Sequence, residues 1–145
     1  MEEEAKLRAG ESALGSIGMA SLTVRPLDTG IAQGFSDLPV LGTTATLSVI
    51  ESACSAAIAE FLEPSQTSFT VGVAVQVRGT VSVGSEVRAL VRAAELEDDV
   101  LLFDCEVHQE QRIIAVAQLQ RRLVDRVSFM ARSAAENLRP TDVAS

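Results

Sequence analysis

The stretch Thr43–Glu63, TTATLSVIESACSAAIAEFLE, is the one long segment of this chain with helical periodicity, and four strand patterns follow it in close succession. That order constrains the fold strongly, because a lone apolar helix ahead of a meander buries its surface only if the sheet folds over it. With Cys54 at zero on a wheel of about 100° per residue, Leu47, Ile50, Ala57, Ile58, Phe61 and Leu62 fall within an arc of roughly 140°, the face expected to be buried. Glu51 falls at roughly +60° inside the same arc, whereas Glu60 and Glu63 lie outside it. One carboxylate is therefore aimed at the core. There it must be paired, hydrogen-bonded or pushed toward its neutral form.

The flanking segments complete an α+β layout. Residues 1–13 are charged and are expected as a flexible N-terminus, followed by one domain over 14–138 and a C-terminal tail over 139–145. Ser16–Arg25 reads as a first strand, ended by Pro26. The next segment, LDTGIAQGFSDLPVLG, reads as a long loop of the kind that often forms a lid, and Pro64 stops the helix near Leu62. In the strand that follows, alternation puts Phe69, Val71, Val73, Val75 and Val77 on one face. Val87, Ala89, Val91 and Ala93 form the apolar face of the next strand, and Leu101, Phe103, Cys105 and Val107 that of the one after. A further strand runs through RIIAVAQLQRRLV, and Asp125 is placed to cap a last helix. A sheet of this kind has exposed edges, and continuing it across a two-fold axis into a dimer removes one.

Composition narrows the function classes. At 145 residues the chain suits one core. A net charge of −8, with 3% aromatic residues and no Trp or Tyr, offers neither the basic stripe nor the stacking platforms of a nucleic-acid binder. Cys54 and Cys105 lie in apolar patterns without CxxC spacing, which predicts reduced, buried thiols and a cytoplasmic setting rather than a metal site. The acidic start MEEEAKLR has no apolar core of a signal peptide, and no apolar run suggests a membrane span.

The residues LGTTATLSVIESACSAAIAEFLEP, with Thr at the helix head, Glu eight residues on, Ala-Cys shortly after and Leu-Glu-Pro at the close, resemble the hotdog-fold thioesterases, in particular the fluoroacetyl-CoA thioesterase-like group. The resemblance extends more loosely over residues 20–130. It implies a hotdog fold, an antiparallel sheet wrapped around one long central helix, in a homodimer or higher oligomer. The implied activity is hydrolysis of acyl-CoA thioesters at the subunit interface, with no metal or organic cofactor. In the family a Thr, a Glu and a His on the strand after the helix form the catalytic set. Thr43 and Glu51 match the first two. At the position of the His, counted without gaps, this chain has Val77. The family's later Gly-Thr-His-Glu-Arg stretch corresponds to AQLQR, which keeps Arg121, and Phe35 is the one aromatic residue near the family's lid.

Thioester hydrolysis needs a base or a carboxylate nucleophile, together with donors aimed at the developing oxyanion. Glu51 is the candidate for the first role. Backbone N–H groups from Gly42 to Ala45, at the positive end of the helix, are candidates for the second. Val77, Phe35 and Arg121 are candidates to line the substrate, Arg121 or Arg122 through a CoA phosphate. Each has a plainer reading: Glu51 as a rim carboxylate paired with Arg121, Thr43 as a helix cap, Val77 as an ordinary strand residue. His108, the only histidine, shares a face with Asp104 and Glu106 and reads as solvated. The leading expectation is an acyl-CoA hydrolase. The alternative is a hotdog protein that binds acyl-CoA or a small apolar ligand without turnover, and a hotdog dehydratase is disfavoured by the lack of a His near the helix.

Overall fold

The computed structural model describes residues 1–138; the expected tail at 139–145 lies outside the described residues. The elements run α1 (Glu2–Ala13), β1 (Ile17–Thr23), a 3-10 turn (Pro26–Asp28), α2 (Gly30–Gln33) and α3 (Thr43–Ile58), then β2 (Gln66–Val77), β3 (Glu86–Glu97), β4 (Val100–Gln109), β5 (Arg112–Asp125) and α4 (Arg126–Asn137). The five strands form one antiparallel sheet in the order β1-β3-β4-β5-β2. α3 lies across its inner face, chiefly on β1 and β3. This is the α+β layout expected from the sequence.

The core is built where strand alternation is cleanest. Val87, Ala89, Val91 and Ala93 of β3 and Leu101, Phe103, Cys105 and Val107 of β4 are all buried, as alternation predicts, against Ile50, Cys54 and Ile58 of α3. The helix approaches β1 unusually closely. A Cβ at Gly18 would stand 2.1 Å from the Ala53 carbonyl oxygen, so only glycine lets the helix and strand backbones meet there. This approach turns the buried face of α3 toward Val49, Ala53 and Ala57. Glu51 is consequently half-buried at the rim, not pointed into the core as the wheel alone suggests.

Three further expectations are corrected. Residues 2–13 form α1 instead of a flexible end, because Ala9, Gly10 and Ala13 give that charged helix a small, buried face; Lys6 Nζ is held by Glu3 at 2.8 Å and lies 3.7 Å from Asp99. α3 stops at Ile58 and gives way to a 3-10 turn over Ala59–Phe61 before Pro64. The third correction concerns β2, whose register against β5 shifts between Thr70 and Gly72. Val73, Val75 and Val77 pair with the inward-facing residues Leu119, Ala117 and Ala115, whereas on the other side of the irregularity Ser68 and Thr70 pair with Leu123 and Arg121. One extra residue in a strand moves the side chains beyond it to the opposite face. Ser68 and Thr70 therefore face inward in place of Phe69 and Val71.

The loop before α3 is more ordered than a simple lid. Asp28 is buried and accepts from the Arg25 N–H at 2.9 Å, Nε at 3.0 Å and Nη2 at 3.1 Å. Thr29 caps α2 by accepting from the Ala32 N–H at 3.2 Å. The Gly42 N–H donates to the Asp28 carbonyl at 2.9 Å, fastening the loop's start to the head of α3. At the other end of the chain Asp125 caps α4 as expected, accepting from the Ser128 N–H at 3.1 Å, and Phe129 packs on Phe69 with ring centroids 5.0 Å apart.

Candidate active site

Glu51 lies midway along α3 and faces β2 across the rim of the core. Thr70 Oγ1 donates a hydrogen bond to Glu51 Oε1. Behind Thr70 sits Arg121, on the inner face of β5. Its Nε donates to Ser68 Oγ at 3.0 Å, its Nη2 to the Ser68 carbonyl at 3.1 Å, and its Nη1 makes a longer contact of 3.4 Å with Thr70 Oγ1. The guanidinium thus reaches the carboxylate only through the threonine. Among the described residues no ion pair joins Glu51 to Arg121, so the plain reading of a rim carboxylate closed off by that arginine does not describe this arrangement.

Around Glu51, the residues Ser48, Ser52 and Ser55 of α3 and Phe69, Thr70 and Arg121 of the sheet border an open concavity of about 720 Å³. A second concavity of about 680 Å³ lies over the other side of the sheet among Ile17, Ala74, Leu90 and Val116, and none of the expected site residues borders it. Of the expected site residues, Glu51 and Arg121 border the first. Cys54, one turn beyond Glu51, is buried with its Sγ 4.0 Å from that of Cys105. The neighbouring Cys105 thiol and burial both push the Cys54 thiol well above the ordinary thiol range, so it stays protonated and is a poor nucleophile.

The other expected residues stand apart from this group. Gly42, buried, is the N-cap of α3, so Thr43 is the first helical residue and is exposed; its hydroxyl does not cap the helix. Thr46 Oγ1 instead donates back to the Gly42 carbonyl at 3.0 Å. The Gly42 N–H is already engaged by Asp28, which leaves the N–H groups of Thr43, Thr44 and Ala45 as the donors of the first turn without a partner among the described residues. Eight residues of helix separate Thr43 from Glu51, on the order of 12 Å along the axis. Val77 is 50% exposed near the far end of β2, seven residues from Thr70 and thus roughly 20 Å away. Phe35 is 76% exposed on the loop after α2. His108 pairs with Glu106 at 2.8 Å on the outer face of β4 and takes no part. Arg122 faces outward and bonds Asp99 at 3.4 Å, while Arg121 faces inward, as adjacent strand positions must.

Sequence reasoning did not single out Thr70 or Ser68. The available signal was Gly72, a glycine inside a strand pattern, which marks a bulge or a close backbone approach. Among the described residues no group of three or more His, Cys, Asp or Glu is arranged to hold a metal ion, and no helix is long and apolar enough to cross a membrane.

The family model described as FlK, fluoroacetyl-CoA-specific thioesterase, matches residues 24–127. Among solved structures, that of the fluoroacetyl-CoA thioesterase FlK superposes with a TM-score of 0.76 at 21% identity, covering 88% of this chain and 97% of that one. A thioesterase superfamily member from Thermus thermophilus superposes with a TM-score of 0.78 at 20% identity, covering 86% and 93%. A hot-dog-like protein from Thermanaerovibrio acidaminovorans gives a TM-score of 0.78 at 16% identity, covering 87% and 93%. Among curated proteins none matches the sequence. The fold is the hotdog fold.

Proposed function

Because the chain belongs to the fluoroacetyl-CoA-specific thioesterase family, we propose that it hydrolyses an acyl-CoA thioester, with the Glu51 carboxylate as general base or nucleophile at a site completed by a second copy of the chain. The observation that carries this reading is a half-buried carboxylate beside an open concavity, with one oxygen engaged by a strand hydroxyl and no ion pair sealing it. As a base, Glu51 takes a proton from water while the water oxygen bonds to the thioester carbon. The C–S bond then breaks, CoA leaves as a thiolate that takes up a proton, and a carboxylic acid remains. As a nucleophile, Glu51 forms an acyl anhydride as CoA leaves, and water cleaves it.

The free N–H groups of Thr43, Thr44 and Ala45 suit the developing oxyanion, and the Thr43 hydroxyl stands beside them. Their separation from Glu51 is too great for one protomer to apply both to the same carbonyl, which favours a shared site. β2 supports this. It is an edge strand, and its Phe69, Val71, Val73 and Val77 are 36%, 39%, 41% and 50% exposed. An antiparallel continuation about a two-fold between Val73 and Ala74 sets Val77 of one protomer opposite Thr70 of the other. Val77 is then a wall of the pocket, with Phe35 and Gly42 on the loop side. The substrate is an acyl-CoA; mutants of FlK have been crystallised with acetyl-CoA and with fluoroacetate and CoA. Two reduced thiols fit a cytoplasmic setting.

The test is turnover of a panel of acyl-CoAs followed with a thiol reagent. Glu51→Gln should lower kcat by roughly 10²–10⁴-fold in a folded protein; equal turnover in wild type and mutant removes Glu51 from the chemistry. One observation favours a second reading. By the gapless count of the resemblance, the aliphatic Val77 falls where the family carries its His, and the single histidine, His108, lies on another strand. Saturable acyl-CoA binding with no turnover above background would make this a ligand-binding hotdog protein.

A further inference from the structure

We propose that Thr70 is a positioning residue for Glu51, kept in that role by Arg121; this rests on the reading of Glu51 as the reactive carboxylate. A threonine hydroxyl carries one proton. Here that proton goes to Glu51 Oε1, so Thr70 can meet the Arg121 Nη1 only as an acceptor. The three residues therefore form a chain of fixed polarity, from guanidinium to hydroxyl to carboxylate. Arg121 cannot swing along it, because Nε and Nη2 are tied to Ser68 at 3.0 and 3.1 Å.

The inserted hydroxyl has a chemical consequence. A guanidinium in direct contact tends to engage both carboxylate oxygens in a bidentate pair. Thr70 takes only Oε1, and Oε2 has no hydrogen-bond partner among the described residues. That oxygen is left to meet water or a thioester carbon, while the hydroxyl fixes the plane of the carboxylate. Backbone geometry makes the arrangement possible. With unbroken alternation back from Val73, the residues facing α3 would be Val71 and Phe69; the irregularity between Thr70 and Gly72 substitutes Thr70 and Ser68.

The experiment compares Thr70→Val, which keeps the branched shape, with Thr70→Ser, which keeps the hydroxyl. With a good acyl-CoA substrate, Thr70→Val should lower kcat by roughly 10–100-fold, the size expected for one hydrogen bond to a charged group, and KM should change little. Thr70→Ser should recover most of the loss. Wild-type kcat in Thr70→Val, or an equal loss in both variants, overturns the proposal. Glu51→Gln run alongside separates the two levels of inference: if it stays active while Thr70→Val is wild-type, both fail, and if it is inactive while Thr70→Val is wild-type, only the role of Thr70 fails. Should wild-type protein show no turnover, the hydrolase reading fails, and a thermal-stability cycle of Thr70→Val with Glu51→Ala judges the contact. Coupled Tm shifts support the hydrogen bond and additive shifts overturn it.

Discussion

The middle and the edge of the same sheet are built on different terms. In β3 from Val87 to Ala93 and in β4 from Leu101 to Val107 every second residue is apolar and buried, the strands are flanked on both sides, and α3 or its neighbours cover the inner face. In β2 the alternation breaks, one side of the strand has no partner, and the inward positions nearest α3 are Ser68 and Thr70. The middle is therefore set for stability, and the edge leaves polar groups in reach of a carboxylate and an opening. A regular strand would have put Phe69 and Val71 against α3 and filled the place where the concavity lies.

If the division is real, substitutions in the two regions should fail differently. The largest effect belongs to Phe103→Ala in the middle of β4, which should lower folding stability by about 3–5 kcal/mol, measured by chemical denaturation. Activity per folded molecule should survive. A loss of kcat at undiminished stability would blur the division. On the edge, Val73→Lys should leave the protomer's stability within about 0.5 kcal/mol, as for an exposed position, because a lysine there can carry its charge into solvent. It should instead yield protomer-sized particles in analytical ultracentrifugation and lose turnover. A variant that assembles as wild type does would take the edge out of the proposed interface.

The smallest effect concerns the loop between these regions. Hydrogen bonds from Arg25 hold the Asp28 carboxyl below the usual carboxylate range, although burial works in the opposite direction. A depressed folded-state value means stability that is fully present above the unfolded aspartate value, near pH ~4, and that is lost as pH falls through the lower folded value. Asp28→Asn should therefore reduce Tm by roughly 2–4 °C at neutral pH, and the gap from wild type should close in acid. A gap that stayed constant down to pH ~2 would mean that ionisation of Asp28 contributes nothing.

How far the sequence was readable follows the same boundary. The apolar faces of β3 and β4, the start of α3 at Thr43 and the Asp125 cap could be read directly, because local pattern and tertiary environment agree there. Glu51 could be picked out as misplaced. Its half-buried position could not, since the seating of α3 depends on Gly18 of a distant strand admitting the Ala53 carbonyl. The packed face of α1 was hidden by its charges, and its three small residues count only once Leu96 and Leu123 are in place beside Gly10. Thr70 escaped because strict period-two counting assigns it to solvent; a register irregularity is a property of two strands, and only one of them is in view when a segment is read alone.

The irregularity in β2 also bears on how this chain is lined up with its relatives. It acts as a phase shifter: upstream of Gly72 and downstream of it, odd and even positions exchange faces. A gapless count from Glu51 to the end of the strand is thus valid only against proteins that carry the same extra residue. Against one that lacks it, the count lands one place off, and the residue equivalent to its histidine becomes a neighbour of Val77 with the opposite outlook.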